Sequence, residues 1–272
     1  MKDIREPAVA GMFYTASPNK LKVEIQMLLE TNTVESSFKN IVGIISPHAG
    51  YIYSGKTAAY AFNAAAKKKF KTVVIIAPSH REYFPGICIY DGSAYKTPLG
   101  TVPLNKEMAT QLTSEGKFIF EGMSGHKSEH AVEVQIPFLQ VAMSDFTIVP
   151  IVLGDQRREF INGLAEKLAE TIDEETLIIA SSDLSHFYSK DAADKLDSVV
   201  EKRIVDFDYA GLQSDLEKGK CEACGGGAIV AMMKAAEFFQ RKKAKVLSRT
   251  DSGDVTGDSS EVVGYLSAAV FG

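Results

Sequence analysis

Three cysteines in 272 residues are too few for a disulfide framework. Their scarcity fits a reducing compartment, where any special cysteine serves metal or redox chemistry. Long apolar runs are missing as well: no stretch approaches the roughly 20 residues that a membrane helix needs, and the opening MKDIREPAVAGMFY lacks a charged region followed by an apolar core. Positive charge is not in excess. With a net charge of −5, a pI near 5.6 and no Lys/Arg cluster interleaved with aromatics, the chain offers no footprint for nucleic acid. These absences lead us to expect a cytoplasmic, soluble protein with neither a nucleic-acid nor a membrane partner. A small-molecule substrate, or a peptide or protein partner, remains.

What is present is a large apolar fraction, 45% of residues, enough for a substantial core. We expect residues 1–272 to form one domain. Three continuous Val/Ile-rich runs stand out: Ile41 to Tyr51 (IVGIISPHAGY), Thr72 to His80 (TVVIIAPSH) and Thr176 to His186 (TLIIASSDLSH). Runs without polar alternation read as strands buried on both faces, as in a parallel sheet covered by helices. Each delivers a histidine beyond its end, and ligands in open parallel sheets bind beyond the carboxyl ends of strands. One polar site along one sheet edge is the reading.

In chain order, Ser17-Pro18 starts a helix through about Glu30, with Ser17 as cap, and residues 31–40 form a polar loop. The turn HAGYIYSG leads to an alanine-rich helix over Lys56 to Lys69, its terminal lysines suiting the negative end of the dipole. The strand-helix-strand unit predicts His48 and His80 on neighbouring parallel strands. Residues 86–102 read as a hairpin-like excursion, 105–114 as a short helix and 118–130 as irregular. A helix opening at Ser128 should be kinked by Pro137. Strand 147–154, helix 157–171, strand 177–181, helices 190–207, 209–218 and 228–241, and strands 244–249 and 261–270 complete the pattern. This rhythm predicts a three-layer α/β/α sandwich with a mixed, largely parallel sheet.

His48 and His80 are the leading metal-ligand pair, because neutral imidazole is a common ligand and prolines fix both backbones. Cys224, beside Gly225-Gly226-Gly227 at a helix start, is the proposed third ligand. A CxxC pair with Cys221, or an inert buried thiol, is the alternative. The triple glycine lacks the Lys-Ser/Thr that a nucleotide loop requires. Asp183 either orients His186 or caps the next helix. His186 is favoured as a proton donor or acceptor, with a direct metal bond as its alternative. His126 and His130 are four apart, but Gly125 and Ser128 leave His126 in a loop and discount a metal pair. His130 is a substrate-facing or supporting group, while Tyr51 and Tyr53 either line the pocket or pack.

The motifs REPAVAGMFY, SPHAGYIYSG, APSH, KTPLG, EHAVEVQIPFLQ, ASSDLSHF, ACGGG and GDVTGDSSEVVGY run nearly end to end. Together they resemble the Memo family, including the prokaryotic members called AmmeMemoRadiSam system protein B. The resemblance implies a fold like that of the class III extradiol dioxygenases, which hold non-haem iron(II) with two histidines and a carboxylate. It implies His48, His80 and Cys224 as iron(II) ligands, His186 as the acid/base group, and Asp183 and His130 as further catalytic residues. A softer thiolate in place of the carboxylate also admits copper or zinc. The expected activity is a dioxygenase-like oxidoreductase on a small molecule. Its alternatives are a non-catalytic peptide- or metal-binding protein and a metal-dependent hydrolase.

Overall fold

The computed structural model describes residues 3–34, 38–113 and 118–272. Residues 35–37 of the expected polar loop and Ser114 of the expected short helix lie outside that set. The chain opens with β1 (Ile4–Arg5) and α1 (Pro18–Thr31), then builds the first half of the sheet: β2 (Gly43–Ser46), α2 (Tyr51–Ala65) and β3 (Thr72–Pro78). The excursion holds β4 (Ile87–Tyr90), the hairpin β5 (Ala94–Thr97) and β6 (Gly100–Pro103), α3 (Lys106–Leu112) and β7 (Ile119–Gly122). There follow α4 (Gln135–Ala142), β8 (Thr147–Leu153), α5 (Arg158–Thr171), β9 (Thr176–Ser181) and β10 (His186–Tyr188). The last part comprises α6 (Lys190–Val205), α7 (Tyr209–Glu217), α8 (Gly226–Phe238), β11 (Lys243–Asp251), α9 (Gly253–Thr256) and β12 (Val262–Phe271).

Nine strands form one mixed sheet, ordered β10-β12-β2-β9-β3-β8-β4-β7 with β11 on β12. The centre, β2-β9-β3-β8, is parallel, and antiparallel pairings begin at β12 on one side and β4 on the other. The apolar runs are buried on both faces because alternate residues enter different cores. Ile45, Val74, Ile76 and Ile178 pack with α5 and α8, whereas Ile44, Val73, Ile75 and Ile179 pack with α1, α2 and α4. Each such side chain withdrawn from water contributes about 1.5–3 kcal/mol. The result is an α/β fold with helices on both faces of a mixed sheet. A small second sheet pairs β1 with β5 and β5 with β6.

Several local expectations need correction. The strands carrying His48 and His80 are not neighbours: β9 lies between β2 and β3 and is hydrogen-bonded to both. The alanine-rich helix starts at Tyr51, five residues before Lys56, and ends at Ala65, before the lysines. Residues 119–122 form β7, paired in parallel with β4. Pro137 does not kink its helix, because α4 begins only at Gln135 and leaves the proline in the first turn, where its missing N–H has no intrahelical partner to lose. Ser17 occupies the cap position of α1, but its side chain makes no capping hydrogen bond.

Candidate functional site

Strand β2 stops at Ser46, and Pro47 to Gly50 make the turn before α2 starts at Tyr51. His48 sits in that turn and is buried. Its backbone N–H donates to Asp183 Oδ1 at 2.7 Å, so the turn after β2 is tied to the turn after β9. His80 follows the end of β3 by two residues, and Cys224 precedes α8. Although β9 separates the two histidine-bearing strands, the rings reach over its end: the His48 and His80 centroids are 5.1 Å apart. Ligand atoms of His48, His80 and Cys224 all lie within 4.8 Å of one another, with Cys224 Sγ 3.1 Å from His48 Nε2.

Hydrogen bonds fix which ring nitrogens face the group. Ser181 Oγ donates to the Ala131 carbonyl at 2.7 Å and accepts from Gln135 Nε2 at 2.8 Å. Its hydroxyl hydrogen is thereby committed, so the 2.9 Å contact with His48 Nδ1 requires the imidazole to donate. The lone pair of His48 is left on Nε2, the atom facing Cys224. His80 repeats this arrangement, with Nδ1 bonded to Glu129 Oε1 at 2.9 Å and its backbone N–H donating to Oε2 at 2.6 Å. Such outer partners orient imidazole ligands and raise their basicity. The Cys224 S–H is positioned to donate to His48 Nε2, and the Asp183 N–H donates to Sγ at 3.2 Å.

The electrostatics keep His48 and Cys224 uncharged. Burial, then the neighbouring His80 imidazole, push His48 down to about 3. Burial, followed by the Asp183 carboxyl, raises the Cys224 thiol well above its ordinary value. Burial also raises Asp183, against the opposing His48 N–H bond. It pushes Glu129 the same way, but the hydrogen bonds and charge of His80 outweigh it and hold the carboxyl at about 2.

His130 joins the cluster, its ring 4.6 Å from that of His80 and 5.4 Å from that of His48. Burial and His48 push it down to about 4. A second ligand-competent group, His80, Glu129 and His130, shares His80 with the first. His186 lies five residues beyond β9, and its Nδ1–H donates to the Leu184 carbonyl at 2.8 Å, leaving Nε2 free of that bond. His48, His80, His130, Asp183, His186, Phe13 and Tyr53 are among the residues around a cleft of about 350 Å³. Tyr51 packs instead, donating to the Val134 carbonyl at 2.7 Å. His126 is apart from the cluster: Nε2 donates to the Cys88 carbonyl at 3.1 Å and Nδ1 accepts from the Tyr95 hydroxyl at 2.8 Å. Cys221 is buried in the apolar core and is not among the ligand-competent groups.

Sequence reasoning passed over Glu129, Ser181 and Gln135. The dipeptide Glu129-His130 and the serine closing β9 were the available signals. It also missed Arg5 and Glu133, a fully buried pair. Arg5 further donates to the carbonyls of His126 and Glu129, while Glu133 accepts from Ala8 N, Val9 N and the Tyr14 hydroxyl. This network fastens the first segment of the chain to the loop that supports His80.

The sequence profile of the Memo-like protein family matches residues 5–269, so it covers all of these positions. The chain belongs to the Memo-like family. A MEMO1 family protein of Thermoplasma volcanium is 38% identical over 267 residues, covering 97% of each chain. One from Nitrosopumilus maritimus is 36% identical, covering 96% of this chain and 98% of its own. One from Methanocaldococcus jannaschii is 34% identical, covering 99% of this chain and 100% of its own. The match is thus of whole Memo-like chains, not of a shared segment. Among the described residues, no helix is long and apolar enough to cross a membrane.

Proposed function

We propose that this Memo-like protein is a metal-dependent redox enzyme that holds iron(II) on His48, His80 and Cys224 and acts on a small molecule. The observation that carries this reading is the donor set: two imidazoles with their Nδ1 hydrogens engaged elsewhere, and one sulfur, all within 4.8 Å. Two nitrogens and a thiolate fit iron(II) and also suit copper or zinc. Bound iron would supply electron exchange and open coordination positions. The protein's own part is to engage Nδ1 of both rings, through Ser181 and Glu129, which leaves Nε2 as the ligand atom, and to bury His48 away from water. His186 takes up or returns a proton at Nε2, since its Nδ1 is committed to Leu184. Asp183 holds the His48 turn through the backbone, and His130 borders the cleft.

The test is metal analysis of protein purified anaerobically after iron supplementation, beside His48→Ala and Cys224→Ala. Near-stoichiometric iron, lost in both variants, supports the reading; metal retained by both removes its basis. A second reading, a peptide-holding protein using the same cleft, is favoured by the exposed apolar side chains at its rim, Met12 and Tyr53. Replacing His186 separates the two. In an enzyme it abolishes oxygen consumption while metal content stays intact, whereas in a binding protein it alters binding alone.

A further inference from the structure

Cys224 also belongs to the wall of a second cavity, of about 500 Å³, between α7 and the start of α8. His186 lines both this cavity and the cleft described above. Leu184, Leu216, Ala223 and Val230 give the second cavity an apolar body, and its volume is in the range of small-molecule sites.

Its polar groups decide what it accepts. The glycine-rich start of α8 is not available to an anion, because its amides are already used. Gly225 N–H donates to Ser182 Oγ at 3.0 Å, Gly226 N–H to the Ala223 carbonyl at 3.0 Å and Gly227 N–H to Gln156 Oε1 at 2.8 Å. Gln156 is used twice, since its Nε2 donates to the Cys224 carbonyl at 2.7 Å. Neither lysine nor arginine lines the cavity, and both acids in its wall are engaged: Glu217 accepts two bonds from Arg158, and Glu222 accepts one from the Tyr188 hydroxyl at 2.5 Å. Glu222 has no cationic partner among the described residues, so the wall is negative in sign and repels carboxylates and phosphates. One group has nothing to do. The side-chain amide of Gln213, 8% exposed and lining the cavity, makes no hydrogen bond among the described residues. Its polar atoms are not among the fully enclosed ones that lack a partner, so the amide is open to whatever fills the cavity and is free to pair with a ligand in place of solvent.

We infer that this cavity is a binding subsite for an uncharged group carrying a hydrogen-bond donor and acceptor side by side, a carboxamide or lactam on an apolar body, recognised by Gln213. The complement of a primary amide is another amide edge, donor to acceptor and acceptor to donor. Because His186 borders both cavities, the occupant is the non-reacting end of a substrate whose other end lies in the histidine cleft. That last step rests on the proposed redox reading, whereas the subsite itself does not.

The probes are benzamide and its anionic isostere benzoate, titrated into the isotopically labelled full chain after removal of metal with a chelator. We expect benzamide to give saturable chemical-shift changes at the Gln213 side-chain amide and at the backbone amides of Ala223 and Val230. Benzoate should bind at least tenfold more weakly, and Gln213→Met should lower benzamide affinity at least tenfold. Should the methionine variant misfold, Gln213→Asn, which keeps the amide but withdraws it by one methylene, is expected to weaken binding likewise. Equal binding of the two probes, shifts confined to other residues, or affinity unchanged in a folded variant overturns the inference. Because the chelated protein is used, its failure is separate from a failure to bind iron: benzamide binding by a chain that never takes up iron keeps the subsite and removes only its link to a reactive centre.

Discussion

Arg5→Met tests whether the buried network at the start of the chain is what holds the supporting loop of the site. Arg5 and Glu133 are both essentially inaccessible, so removing the guanidinium leaves a buried carboxylate without a countercharge. Breaking such pairs costs about 3–5 kcal/mol. Glu133 retains three neutral donors, Ala8 N, Val9 N and the Tyr14 hydroxyl, which places the charge contribution at the low end, about 3 kcal/mol. The carbonyls of His126 and Glu129 also lose a donor, at about 1 kcal/mol each. A total near 4–5 kcal/mol corresponds to a fall in Tm of roughly 8–20 °C for a chain of this size. Urea unfolding followed by circular dichroism, with an unchanged m-value, measures it. The companion Arg5→Met/Glu133→Gln variant should be more stable than Arg5→Met alone, because the uncompensated charge is gone. An Arg5→Met protein within about 0.5 kcal/mol of wild type, a typical surface-substitution effect, would refute the reasoning.

Three further outcomes follow from the same geometry. Glu129→Gln, which weakens the acceptor of His80 Nδ1, should lower metal affinity about 10–100-fold, as read by competition with a chromophoric chelator. It should also cost about 1–3 kcal/mol of stability, because both oxygens of Glu129 accept N–H bonds and the new NH2 must face one of those donors. His126 is held at about 3 by burial, so between that value and about 6.5 only the unfolded chain carries the extra proton. Stability therefore rises with pH across that window and is lost as pH falls through it, by up to about 1.4 kcal/mol per pH unit. Subtracting the stability-pH curve of His126→Gln isolates this slope, and two parallel curves would contradict it. Gly225→Ala would bring a methyl 2.1 Å from the Ser181 carbonyl oxygen and 2.9 Å from Ser182 Cβ. Displacement of the neighbouring Cys224 should lower metal stoichiometry more than Gly257→Ala, where a Cβ meets nothing within 4 Å, although the positive φ of Gly257 makes that control mildly strained.

The sequence reading singled out His48, His80 and Cys224 because each stands at a boundary that local signals mark: a β-branched run ended by proline, or a glycine triplet before a helix. Glu129, Ser181 and Gln135 carry weaker marks, a neighbouring histidine or the end of a strand, with no proline or glycine triplet beside them. Glu129 and Ser181 act on ring nitrogens turned away from the cleft, Gln135 acts on the Ser181 hydroxyl, and their relation to the histidines exists only once β9 and the loop before α4 are packed. Strand order was hidden for a related reason. Consecutive strands joined by a helix read as neighbours, yet nothing local announces that a strand about a hundred residues later will enter between them. The start of α2 was obscured by Gly55, which resembles a turn residue. It lies within α2, where the missing side chain lets α1 pack closely: a Cβ would meet Leu28 Cδ1 at 3.0 Å.

The insertion of β9 has a bearing on how the molecule comes apart. The strands preceding His48, His80 and Asp183 are all interior, each bonded on both sides, while β7, β10 and β11 form the margins. Amide protons of β2, β9 and β3 should therefore exchange only through complete opening, whereas the margins fray independently. Warming or mild denaturant would then erode the periphery long before it disturbs the imidazoles, and the proposed hold on an ion would vanish in one cooperative event.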